Sequence, residues 1–274
     1  MSNILGKSVF AIGTGRSGTK FIHVLMDKEP GVASYHERHN LSDAFQRYVK
    51  HNNLPVDNSG FMEVKKKGIL SDLENHAFSF EASAYLSLSI AELYEQLKSK
   101  FILLVRRPDE VVNSYITKGW YDHQLVRAND DLAPHFQPGL LLPHHSFSRI
   151  VPIGEEAKQW KEYTQVGKIA WFWTYLNNSV ITQFQLLPKE HYMIIRLEDL
   201  DYRVYEQICS FIGFESAIPE TEFYEIAQAR PNIRPRKKKI GDWTDKERIE
   251  FETEVRNLAI EFGYEWQVDR LVPV

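Results

Sequence analysis

Cysteine is nearly absent from this chain: Cys209 is the only one in 274 residues, so no internal disulfide can form. Long hydrophobic runs are missing too, and no apolar stretch approaches the roughly 18 residues that a membrane-spanning helix needs. There is no surplus of basic residues. Lys and Arg number 33 against 37 Asp and Glu, giving a formal net charge of -4 and a pI near 6.2. Such a balance excludes a surface built as a whole to hold duplex nucleic acid, and no nucleic-acid partner is expected. Internal repeats and low-complexity tracts are also lacking. Met1 is followed almost directly by a short apolar strand pattern and not by a signal-peptide pattern, so the chain is expected to be cytoplasmic, with no integral membrane segment. What is present is an ordinary globular mixture of 43% hydrophobic, 13% aromatic and 26% charged residues. At this length the expectation is one domain over residues 1–274.

Short apolar runs alternate with helix-period segments, the pattern of a parallel sheet covered by helices. Strands are predicted over 8–12, 32–35, 78–80, 101–105 and 192–195. Helices are predicted over 19–28, 41–50, 86–97, 109–117, 203–212 and 245–262, with one long helical pattern over 155–187. The stretch 52–60 reads as loop. Between Gly119 and Gly154 regular patterning dissolves into Trp, Tyr, His, Pro and Gly, which suggests a lid or acceptor-binding insertion.

The first strand runs into Gly13-Thr14-Gly15-Arg16-Ser17-Gly18-Thr19-Lys20 and then a helix. In that geometry backbone N–H groups and a helix N-terminus surround an anion, with Arg16, Ser17, Thr19 and Lys20 adding donors. A Walker A loop requires Lys followed by Ser or Thr after its second glycine, whereas Thr19-Lys20 has the reverse order. The strand 101–105 also ends in Arg106-Arg107 and not in an acidic residue that could support a metal. A dinucleotide fingerprint lacks its acidic residue closing a second strand; Glu37 is the nearest, among His36, Arg38 and His39.

Arg106 ends a buried strand, and Ser114 follows eight residues later on the next helix. Ligands collect at the carboxyl ends of strands in open α/β sheets, so Arg106 points where the glycine loop points.

These residues resemble a family. Gly13 to Thr19 looks like the 5′-phosphosulfate loop of sulfotransferases that use 3′-phosphoadenosine 5′-phosphosulfate (PAPS), and Arg106 to Ser114 looks like their 3′-phosphate motif. Arg236-Lys237-Lys238-Lys239-Ile240-Gly241-Asp242-Trp243 is similar to the C-terminal loop that closes over the cofactor, and Ile195 to Leu200 is similar to a further landmark. The resemblance implies a P-loop-like three-layer α/β sandwich with a central parallel sheet flanked by helices. It implies PAPS as cofactor, bound by Gly15, Arg16, Ser17, Gly18, Thr19, Lys20, Arg106, Ser114, Arg236 and Lys237, with no metal. Arg16 would contact the transferring oxygens, and Glu37 matches the position of the glutamate base in protein-tyrosine sulfotransferases, with His36 as its rival. The sequence departs from the family at Leu197, often aromatic, at Lys238, often glycine, and at Ala82, where some glycan sulfotransferases carry lysine.

The implied reaction is sulfuryl transfer to a hydroxyl or amine, with a small molecule or glycan favoured over protein as acceptor. A P-loop nucleotide kinase or NTPase, and a non-catalytic nucleotide-binding module, are the alternative classes. His123, His135, His144 and His145 fit no metal-ligand spacing and are read as a solvated or substrate-facing loop. Trp160, Trp171, Trp173 and Tyr175 are expected to pack the core, and Lys65-Lys66-Lys67 to form a solvated basic turn.

Overall fold

The computed structural model describes residues 4–121, 146–229, 240–267 and 270–273. The chain opens with β1 (Ser8–Ile12), α1 (Thr19–Met26), β2 (Val32–His36), α2 (Asn40–His51), α3 (Ser59–Asp72), β3 (Phe78–Ser83) and α4 (Ile90–Leu97). It continues through β4 (Lys100–Val105), α5 (Pro108–Ile116), α6 (Glu156–Glu162), α7 (Gln165–Phe184), β5 (Tyr192–Arg196), α8 (Tyr202–Ile212) and α9 (Glu220–Ala229). Helix α10 (Asp245–Glu261) and an antiparallel hairpin of β6 (Tyr264–Gln267) and β7 (Arg270–Pro273) follow.

Five parallel strands form the main sheet in the order β2-β3-β1-β4-β5. Strands β1 and β4 lie inside it, which is why VFAI and FILLV are unbroken apolar runs: both faces of each strand are covered. Phe10, Ile12, Phe101 and Leu103 face a core built with α4, α5, α7 and α10. Val9, Ala11, Ile102 and Leu104 face the opposite core, with Ile22 and Leu25 of α1 and Tyr205, Ile208 and Cys209 of α8. The architecture is therefore the expected three-layer α/β sandwich with a central parallel sheet.

Several local expectations need correction. The helical pattern over 155–187 is two helices, because Tyr163 is extended and Thr164 caps α7, its hydroxyl accepting from the Gly167 amide at 3.4 Å. Strand β3 runs on from Phe80 to Ser83 through Glu81, a carboxylate that interrupts the apolar pattern and is buried all the same. Helix α3 begins inside the stretch read as loop, and Lys65 is no solvated turn residue. Its side chain is 2% exposed, and its Nζ donates to Asp43 Oδ2 at 2.8 Å and to Glu81 Oε1 and Oε2 at 2.9 and 2.8 Å. Burial pushes the Asp43 carboxyl up, with the Glu81 carboxylate acting in the same direction and Lys65 against it. Most of the 119–154 segment, with His123, His135, His144 and His145, lies outside the described residues.

Candidate functional site

A cleft of about 760 Å³ opens at the carboxyl end of the sheet, lined by residues that follow β1, β2, β3 and β4. The volume lies within the range of small-molecule and cofactor sites.

One side is the glycine loop. Gly15, Arg16 and Gly18 adopt positive φ of 78°, 61° and 99°, folding six residues into a tight passage from β1 to α1. A side chain at Gly15 would meet the Tyr115 hydroxyl at 2.3 Å, and one at Gly18 would meet Leu197 at 2.6 Å. Tyr115 holds the loop from α5 by donating to the Thr14 carbonyl at 2.6 Å. Helix α1 starts at Thr19, with the amides of Phe21 and Ile22 bonding back to the Gly18 carbonyl. The N–H groups at the very start of a helix lack an acceptor four residues back, an arrangement that suits an anion.

Cations gather at this loop. Arg16 Nε donates to Ser114 Oγ at 2.7 Å, and Arg106 Nη1 donates to the Arg16 carbonyl at 3.0 Å. Arg106 is fixed further by Glu110, 2.9 Å from its Nη2, and by the indole of Trp173, which donates to its carbonyl at 3.1 Å. Arg107 forks onto Asp109 at 3.1 and 2.6 Å, while its amide donates to Glu198 at 3.0 Å. Tyr264 donates to the other Glu198 oxygen at 2.8 Å, joining the hairpin to the ends of β4 and β5.

His36 and Glu37 line the same cleft. His36 closes β2 and its Nε2 sits 3.3 Å from the Thr19 hydroxyl. Burial, with His23 and Lys20 adding to it, pushes the His36 imidazole down to about 4, so it is neutral near pH 7. Glu37 takes φ 53°, a left-handed corner uncommon for a glutamate, and its amide bonds to the Ala82 carbonyl at 2.9 Å. Burial raises the Glu37 carboxyl above the ordinary range, while the nearby Arg47, the Ala84 amide and Lys118 hold it down. A carboxyl raised in this way is a stronger base when ionised than an ordinary surface carboxylate. Tyr85, Trp120 and Phe172 form an apolar wall beside it.

Of the residues singled out in the sequence, Gly15, Arg16, Gly18, Thr19, Lys20, His36, Glu37 and Arg106 line this one cleft. Ser114 stands behind it as the support of Arg16. Ser17 is fully buried under the loop, and among the described residues its hydroxyl has no hydrogen-bond partner. Arg236 and Lys237 lie outside the described residues. Arg47, Tyr85, Lys118, Trp120 and Phe172 were not picked out as site residues. The one signal for Arg47 was its place at core spacing with Asp43, Ala44 and His51 along α2, all buried.

No protein-family model and no curated protein sequence matches the chain. Among solved structures it is similar to the sulfotransferase STF9 from Mycobacterium avium, at 12% identity over 97% of this chain and 78% of that one, with a TM-score of 0.61. It is also similar to the sulfotransferase domain of the curacin biosynthetic pathway, at 18% identity, 77% and 75% coverage and a TM-score of 0.47. Mouse sulfotransferase SULT7A1 complexed with PAP gives 14% identity, 93% and 86% coverage and a TM-score of 0.44. The chain thus has a sulfotransferase-like fold.

Proposed function

We propose that this chain is a PAPS-dependent sulfotransferase that moves a sulfuryl group to a hydroxyl or amine of a small molecule or glycan. The observation that carries the reading is that one cleft is lined both by a cation-bearing glycine loop and by a half-buried glutamate. The donor set fits the ligand. Arg16, Lys20 and Arg106 supply positive charge, Ser17 has a buried hydroxyl awaiting an acceptor, and Gly15 and Gly18 leave room where a side chain would clash.

PAPS, when bound, supplies the sulfuryl group on a phosphate leaving group, so the protein's task is in-line placement and charge stabilisation. Arg16, Ser17, Gly18, Thr19 and Lys20 would hold the 5′-phosphosulfate, and Arg106 the 3′-phosphate, with Ser114 orienting Arg16. Arg236 and Lys237 are assigned to the closing loop from the sequence. Glu37 takes the acceptor's proton. His36, neutral near pH 7 and hydrogen-bonded toward Thr19 at the start of α1, orients that hydroxyl in preference to serving as base. The wall of Tyr85, Trp120 and Phe172 keeps water from the acceptor.

Thermal denaturation tests the reading: adenosine 3′,5′-bisphosphate in EDTA raises Tm, whereas ATP with magnesium, in the absence of EDTA, gives a smaller shift. Stabilisation by ATP with magnesium but not by the bisphosphate overturns it in favour of a kinase. Stabilisation without transfer to any screened acceptor leaves a nucleotide-binding module.

A further inference from the structure

One cation of the cleft has no place in the scheme so far. Arg47 is 1% exposed, yet among the described residues it makes no ion pair. Its Nη1 donates to the Ala84 carbonyl at 2.9 Å and its Nη2 to the Ser148 carbonyl at 2.8 Å, while among the described residues its Nε has no hydrogen-bond partner. The guanidinium lies 4.8 Å from the centre of the Tyr85 ring and 5.5 Å from that of Phe172. Neutral carbonyls and aromatic faces compensate a buried guanidinium incompletely, so the charge calls for an anion nearby. Arg47 and Glu37 line the same cleft, and the backbone of Ala84 serves both: its carbonyl accepts from Arg47, and its amide, in the preceding peptide, favours the Glu37 carboxylate.

We propose that Arg47 is a positioning residue for Glu37: anchored on two backbone carbonyls, it presents a fixed positive charge to the carboxylate and braces the backbone of Ala84, which lines the same cleft. The inference rests on the reading of Glu37 as the base.

The charged and titratable groups that act on Glu37 come from every side. They are Arg47 on α2, Lys118 after α5, Glu81 on β3, Tyr85 after β3 and Tyr115 on α5. Burial pushes both tyrosine hydroxyls well above their ordinary range, so they stay neutral. Glu81 opposes ionisation of Glu37, and of the two cations Arg47 acts more strongly than Lys118.

Carbon-13 NMR of the full chain labelled at glutamate carboxyls tests this directly and needs no acceptor. The Glu37 signal is assigned by its loss in Glu37→Gln. In Arg47→Gln, which keeps donors for the two carbonyls and removes the charge, the titration midpoint of Glu37 rises by about one pH unit or more, tenfold in proton affinity. Arg47→Lys restores most of the shift, and Lys118→Met moves the midpoint by less than Arg47→Gln does. Retention of the Tm rise with adenosine 3′,5′-bisphosphate shows that the variant is folded. An unmoved midpoint in folded Arg47→Gln overturns the proposal. If Arg47→Gln does not fold, Lys118→Met decides: a rise of about one unit or more assigns the role to Lys118 and overturns the proposal, and a smaller rise supports it. Turnover separates the two readings. Full turnover in Glu37→Gln removes both, whereas loss of turnover there with an Arg47-independent midpoint removes only the present one.

Discussion

The Nε of Arg16 donates to the Oγ of Ser114 at 2.7 Å, joining the glycine loop to α5 across 98 residues of sequence. The serine is thereby engaged with a protein cation, so in the proposed reading its effect on ligand binding passes through Arg16. A hydrogen bond to a charged group contributes about 1.5–3 kcal/mol, so Ser114→Ala weakens adenosine 3′,5′-bisphosphate binding by roughly tenfold or more in titration calorimetry. In a double-mutant cycle with Arg16→Ala the losses are not additive. Strict additivity would show that the two residues act independently.

Glu37→Gln lowers turnover by about 10² to 10⁴ with any acceptor that a labelled-sulfate screen identifies, while bisphosphate affinity stays within about twofold. Because burial raises the Glu37 carboxyl, kcat/KM of the wild type rises with pH as that proton leaves, with a midpoint above the ordinary carboxylate range. Activity that persists in Glu37→Gln would return the base role to His36.

Gly15→Ala strains the backbone at φ 78° and drives a methyl to 2.3 Å from the Tyr115 hydroxyl, which already bonds to the loop. The expected loss is about 1–3 kcal/mol of unfolding free energy in urea denaturation, together with weaker bisphosphate binding. Gly60→Ala, in the first turn of α3 with nothing within 4 Å, is the control and is neutral or slightly stabilising. Equal effects at the two glycines would remove the special role of the loop.

The depressed His36 imidazole fixes the sign of a pH effect. An unfolded chain protonates this histidine near its ordinary value of 6.5, whereas the folded chain resists until about 4. Between those values the unfolded state binds more protons, so this contribution to stability is present above pH 6.5 and is lost as pH falls toward 4. The stability of wild type relative to His36→Asn therefore declines over that window in denaturant titrations. A difference that stays flat across it would contradict the assignment.

Lys65→Met leaves the Asp43 and Glu81 carboxyls facing each other in the interior without their cation. Breaking a buried charge cluster in this way costs about 3–5 kcal/mol. A lysine in a solvated turn would change stability by no more than about 0.5 kcal/mol, and urea denaturation distinguishes the two outcomes.

The strands that carry the site were legible because their chemistry is local. Val9 to Ile12 and Phe101 to Val105 are apolar on both faces since both faces are covered, and the glycines after β1 mark a turn few other residues tolerate. Cations at strand ends could likewise be read as ligand-facing from position alone. Lys65 and Arg47 were not legible, because what makes a buried charge tolerable lies elsewhere in the chain. For Lys65 it is Asp43 and Glu81, which are 22 and 16 residues away, and for Arg47 it is the carbonyls of Ala84 and Ser148, 37 and 101 residues away. Core spacing along α2 hints that Arg47 is buried, but no local pattern shows the distant partners that make either charge tolerable.

The sequence by itself determined an α/β sandwich with a glycine-rich, cation-bearing loop after its first strand and a second cation at the end of the fourth, since periodicity, glycine placement and strand-end charge are properties of neighbouring residues. The tertiary structure alone decided that Arg16 leans on Ser114, that Glu37 shares its cleft with Arg47, and that an acidic chain concentrates positive charge around one cleft. The physical reason is that charge and hydrogen bonding act through space, and a chain that alternates strand and helix brings the ends of separate strands to one edge of its sheet.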